Sequence, residues 1–368
     1  MIGTEMIAGQ NGYENWKHGL WRCSMLNPFN RIHIFILCLV AFNSSFDSAE
    51  AQDIAQIPRT EWGQPDLQGV WNFSSNTPMQ RSDQYGERQV LTVEEIAAAA
   101  APRLQIGDQR EPAKSSNGIE DFYNDTIWME RNRNNVSQRT SLIVYPTNGR
   151  LPPLLAGITL QPGGERDTSG LRPVRFAVGG IGRDGPEDRG LSERCLVGFN
   201  AGPQLMPSVY NNNVQIIQNR DHVVILTEMI HDARIIPLAE IPQLDPHIGL
   251  WSGDSRGLWD GHTLVVITRN FNGLTQSFEG YGSSETKVLT ERFTRLDAIT
   301  INYEFTIDDP ATFTDKLVAV FPLSKIDGQL YEYACHEGNY GMGNMLRAAR
   351  SREAKEWSDR VADQFRGR

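Results

Sequence analysis

From Val214 onward the chain runs in short segments that alternate apolar and polar positions, the period-two signature of half-buried strands. The alternation predicts strands near 214–219, 222–230, 233–238, 263–271, 287–296, 299–307, 316–325 and 329–336. Asn219-Arg220-Asp221, Asp297-Ala298 and Asp327-Gly328 stand where tight hairpins belong, and Asp260-Gly261 turns the chain before Thr263. About eight antiparallel strands predict a mainly β fold, either an up-and-down antiparallel barrel or a strongly curved sheet, with a two-sheet sandwich as the alternative.

The rest of the pattern is weaker. Leu67 to Phe73 and Ser141 to Pro146 look like strands, Thr92 to Leu104 looks helical, and residues 161–192 are rich in Gly, Pro and charge, as a long surface loop would be. Past Tyr340, apolar residues recur at three- and four-residue steps (Met342, Met345, Leu346, Ala349, Trp357, Val361, Phe365), which predicts an amphipathic helix that packs on the sheet or closes a barrel end. Gly69-Val70-Trp71 resembles the G-x-W of the first lipocalin strand and tilts the barrel reading toward a lipocalin-like one. The same triplet pattern recurs at Gly249-Leu250-Trp251 and Gly257-Leu258-Trp259.

One apolar run, Ile32 to Phe42, follows Arg31 and precedes Ser44, Ser45, Ser48 and Ala49-Glu50-Ala51. It is too short to span a bilayer and has the basic start, apolar middle and small-residue end of a secretory signal. The expectation is cleavage after Ala51, translation from Met25, a periplasmic or secreted product and no stable membrane insertion. The chain then divides into an extension plus signal (1–51), a loop-rich N-terminal region packed on the sheet (52–200), an antiparallel β-domain (201–340) and a C-terminal helix (341–368).

Composition narrows the partners. With 35 Lys plus Arg against 45 Asp plus Glu, a net charge of −10 repels phosphate backbones, so nucleic acid is not expected as a partner. Of the four cysteines, Cys23 and Cys38 fall in the discarded part, leaving Cys195 and Cys335 to form one disulfide in an oxidising compartment.

Three clusters could carry chemistry. In Glu228-Met229-Ile230-His231-Asp232-Ala233-Arg234, unbroken alternation places Glu228, Asp232 and Arg234 on one face and His231 on the other, unless a bulge intervenes. His231 beside a carboxylate suits a general acid or base, and Arg234 suits either a polar substrate group or an internal ion pair. Trp251 to Trp259 reads as a polar loop in which Asp254 and Arg256 bind ligand groups against the Trp251 indole, or else cap the loop itself. In the third, Tyr331 to Tyr340, His336 would be a second acid–base group and Tyr340 a substrate contact. A metal would draw on His231, His336 and one of Glu228, Asp232 or Glu337, but no metal motif has this spacing, and no cofactor is expected.

The segments EMIHDARIIPL (228–238), GDSRGLWDGHTLVV (253–266), ERFTRLDAITINYEFTIDDP (291–310) and YEYACHEGNYG (331–341), with ERCL (193–196) and YNNN (210–213), resemble a family of uncharacterised exported bacterial proteins. The resemblance spans roughly residues 58–350 and implies export and a common fold but no reaction. His262 departs from the acidic or neutral turn residue of that pattern. From the residues, the expectation is an exported enzyme doing cofactor-independent acid–base chemistry (hydration, isomerisation, elimination or hydrolysis) on a small, partly apolar compound. His231, Asp232, Glu228 and His336 would be catalytic. The alternative is a non-catalytic binding protein for a hydrophobic small molecule, and a secreted structural partner is a third reading.

Overall fold

Every second side chain of β8 (Val288–Arg295), β9 (Thr300–Asp308) and β10 (Leu317–Ile326) is buried. The inward set includes Leu289, Phe293, Tyr303, Phe305, Ala319 and Phe321, whose rings pack edge-on or tilted: Phe293 to Tyr303 at 4.9 Å and Tyr303 to Phe321 at 5.1 Å. Most polar side chains on the same strands face outward, while Glu291 and Arg295 of β8 lie in the inward set.

The computed structural model describes residues 57–98, 138–160, 174–176, 179–199 and 202–366, within one compact unit, Gln56–Arg368. The signal-like segment ending at Ala51 and the end of the helical 92–104 stretch lie outside the described residues.

The remaining strands are β1 (Gly69–Asn72), β2 (Ile143–Tyr145), β3 (Asn213–Gln218), β4 (His222–Thr227), β5 (Ala233–Pro237), β6 (Asp254–Asp260) and β7 (Thr263–Arg269). All ten form one antiparallel sheet in the order β5-β4-β3-β1-β10-β9-β8-β7-β6, with β2 also paired to β10. The N-terminal β1 therefore joins two meanders, β3 to β5 and β6 to β10. Trp71 of β1 is fully buried there and carries the Arg295 guanidinium 4.7 Å from its ring.

A mainly β, antiparallel fold with a C-terminal helix is what forms. The expected closed barrel is not: β5 and β6 end the strand path and share no backbone ladder, so the sheet is open and a lipocalin-like fold has no support. The two edges nevertheless touch. At Gly257 of β6 a Cβ would lie 2.8 Å from Leu238 and 2.9 Å from Ile236, so only a residue without a side chain permits this approach.

Two further expectations are corrected. Residues 329–336 are irregular rather than a strand, because Cys335 is tied to Cys195 at disulfide distance (1.99 Å) and Asn339 Nδ2 donates to Glu193 O at 3.2 Å. The helix spans Tyr340–Arg366, but only Ala349 is buried in it; Trp357 and Phe365 stay exposed, so its apolar stripe does not close a sheet end.

Candidate functional site

Glu228 to Asp232 form the tip of the β4–β5 hairpin rather than a continuation of β4. Ile230 (φ 62°) and His231 (φ 58°) are consecutive left-handed residues, and Thr227 N closes the turn on Asp232 O at 2.9 Å. The left-handed pair ends the predicted 222–230 strand at Thr227 and breaks the alternation that would have set Glu228, Asp232 and Arg234 on one face. His231 is exposed at this tip. Glu228 is buried and accepts a hydrogen bond from Asn213 Nδ2 at 2.7 Å.

The first two clusters meet at one point. Asp232 Oδ2 accepts from Gln204 Nε2 at 2.8 Å and from Ser252 Oγ at 2.9 Å, next to the half-buried Trp251. Arg234 lies inside the sheet in a bidentate pair with Glu291. Asp254 and Arg256 pair with each other at 2.5 Å; Arg256 also donates to the Ile241 and Pro242 carbonyls, and Asp254 accepts from Leu244 N. Together they brace the 241–244 loop, and the segment read as a polar loop is in fact strand β6.

The third cluster sits on the surface, with His336 and Tyr340 both exposed. It joins the 192–199 segment through the disulfide, and Gly198 of that segment packs on Met229, where a Cβ would lie 2.9 Å away. The 228–231 and 331–340 segments thus flank the same strip of chain, but among the described residues no hydrogen bond or ion pair joins His231 to His336. Nor do three His, Cys, Asp or Glu side chains converge as metal ligands among the described residues.

The strip does border a cleft of about 240 Å³. Val197, Phe199, Pro203 and Met206 form one wall, Thr275 to Gly280 form the other, and Arg175 lies at its side. The second wall belongs to the long β7–β8 connection, which folds back on itself: Thr275 Oγ1 donates to Ser284 Oγ at 2.7 Å, and Ser277 N donates to Tyr281 O at 2.9 Å. A smaller cavity of about 20 Å³, of a size for one water, lies behind the strip and is lined by Gln204 and Asp232.

Lys287 pins the two walls together. Its fully buried Nζ donates to Gly202 O (2.9 Å) on one wall and to Ser277 O (3.1 Å) and Gln276 O (3.4 Å) on the other, and lies 4.4 Å from the Phe271 ring centre. Burial pushes its pKa down to about 7, against the pull of Asp309. With all three donors engaged on main-chain oxygens, this amine is a brace and not a free nucleophile.

Two groups in the cleft, Arg175 and Glu279, remain open to a ligand; Ser277 Oγ is fully buried behind the wall and has no hydrogen-bond partner. Arg175 spends Nε on Gly273 O at 2.7 Å, and its two terminal nitrogens have no partner among the described residues. Glu279 reaches solvent at the rim, yet desolvation by the surrounding protein raises its carboxyl pKa above the ordinary value. Its backbone is left-handed (φ 49°), a conformation uncommon outside glycine and often kept where a side chain must be aimed.

None of Arg175, Ser277, Glu279 and Lys287 stands out in the sequence. Arg175 falls in the stretch read as surface loop. The usable signal was the polar Thr275-Gln276-Ser277 set among Gly273, Gly280 and Gly282 between two confident strands, a loop too long for a hairpin turn. Comparison with known proteins adds nothing: no family model, curated protein or solved structure matches the chain.

Proposed function

We propose that the protein is an enzyme that performs acid–base chemistry, such as isomerisation, hydration or elimination, on a small, partly apolar compound held in this cleft. The observation that carries the reading is Glu279, a carboxyl that reaches solvent at the cleft rim yet is raised in pKa by desolvation, on a left-handed backbone. Phe199, Met206 and Pro203 offer the apolar wall, and Arg175 and Gln276 the polar contacts. At about 240 Å³ the space suits a ligand smaller than a drug-sized molecule. Glu279 here takes the acid–base role that the sequence suggested for His231 and His336. We place the protein in the periplasm or outside the cell, a reading supported by the Cys195–Cys335 pair.

The competing reading, a carrier that returns its ligand unchanged, draws on the absence of any hydrogen-bonded base beside Ser277 Oγ. Ligand fate separates the two. Small molecules from a bacterial extract are incubated with wild type and with Glu279→Gln and followed by mass spectrometry. The expected result is a compound consumed by wild type and retained unchanged by the variant. A compound bound but never converted by either protein would establish the carrier instead.

A further inference from the structure

Resting on that reading of the cleft, we infer that its ligand is a small carboxylic acid whose carboxylate sits against the Arg175 guanidinium. The Nε bond to Gly273 O fixes the plane of the guanidinium and leaves the two terminal nitrogens as an open fork. Such a fork matches the two oxygens of a planar carboxylate. Arg175 is in no ion pair among the described residues.

One guanidinium suits a monoanion. A phosphate would call for a second cation, and Lys287, which tethers the two walls, has its donors committed to three carbonyl oxygens. Phe199 and Met206 on the facing wall leave room for a compact apolar remainder. Glu279, the one acidic side chain among the described residues that line the cleft, is raised in pKa by desolvation, so its own charge competes less with the ligand in mildly acidic solution.

The test uses benzoate, cyclohexanecarboxylate and 3-phenylpropanoate, each beside its primary amide, titrated into the full-length protein by calorimetry and ligand-observed NMR. Each amide keeps the shape of its acid and removes the charge. At least one acid should bind about tenfold or more tighter than its amide, and Arg175→Gln should erase most of that gap, with Arg175→Lys intermediate because it keeps the charge but loses the fork. If Arg175→Gln proves unfolded by circular dichroism, the acid-to-amide ratio of wild type decides alone. Equal binding of acid and amide would overturn the carboxylate while leaving the cleft a small-molecule site. If no member of either series binds at millimolar concentration, the inference and the reading of the cleft fall together.

Discussion

Arg234 and Glu291 meet inside the curved sheet although their strands lie far apart along it. Arg234 comes from the edge strand β5, and Glu291 from β8, two strands in from the other edge. Their guanidinium and carboxylate pair through two bonds of 2.5 and 2.9 Å, and the Tyr303 hydroxyl donates to the same carboxylate at 2.8 Å. Burial and the adjacent carboxylate push the Tyr303 pKa well up, which keeps its proton available for that bond. No ladder joins β5 to β6, so this pair, with the packing at Gly257, holds the two ends of the sheet together.

A buried ion pair of this kind is costly to break and cheap to replace as a unit. Arg234→Met should lower stability by about 3–5 kcal/mol, because the Glu291 carboxylate stays buried without its partner. Arg234→Met combined with Glu291→Met should recover most of the loss. Urea denaturation of the two single variants and the double variant checks this, and a double variant as weak as the sum of the singles would refute it.

Glu279 carries a prediction about pH. A carboxyl whose pKa is raised stays protonated to a higher pH than an ordinary glutamic acid. If it donates the proton, kcat/KM is flat on the acid side and falls as pH rises through that raised pKa. Glu279→Gln should lower kcat by about 10²–10⁴ and abolish this limb, while changing ligand affinity about threefold or less. A profile that keeps its limb in Glu279→Gln would assign the proton to another group.

Lys287 makes stability itself depend on pH. Its folded pKa of about 7 lies below the ordinary 10.5, so between these values the unfolded chain holds a proton that the folded chain does not. Stability therefore rises with pH across that window, by at most about 1.4 kcal/mol per unit, and is lowest where both states are protonated. Lys287→Met should remove this rise, so that in thermal melts from about pH 6.5 to 10 the stability difference between wild type and variant shifts in favour of wild type as pH increases. It should also weaken ligand binding, since Gly202 and Ser277 lose their common tether.

The strands that the sequence declares are those whose two faces differ. Val288–Arg295, Thr300–Asp308 and Leu317–Ile326 alternate strictly, and each lies within a residue of its predicted bounds. β6 escapes because its reason for being a strand lies elsewhere in the chain: Ser255 Oγ meets Thr268 Oγ1 at 2.8 Å across the ladder, and Gly257 is small to admit Ile236 and Leu238. The reverse holds for 329–336, whose alternation is genuine but which finds no ladder to join. The candidate site was less legible still. Histidines mark chemistry by their residue type, whereas Glu279 and Arg175 acquire theirs from local desolvation and from a guanidinium held by one carbonyl, which only the folded chain defines.

The disulfide provides the last test, because Cys195 lies two residues before the cleft wall that starts at Val197. It joins positions 140 residues apart, so in the chain-entropy view its removal costs up to about 5 kcal/mol, and commonly less in practice. The more specific expectation is local. Without the bond, the 331–339 segment keeps the hydrogen bond from Asn339 Nδ2 to Glu193 O of the 192–199 strip, an exposed contact of 3.2 Å. In Cys195→Ser/Cys335→Ser, amide exchange should therefore quicken over 192–199 and 331–339 while β8 to β10 stay protected at moderate temperature. Ligand affinity should fall with it, as the wall carrying Phe199 loses its anchor. Unchanged exchange in both segments, with unchanged affinity, would mean that Lys287 alone sets the cleft and that the disulfide serves only global stability.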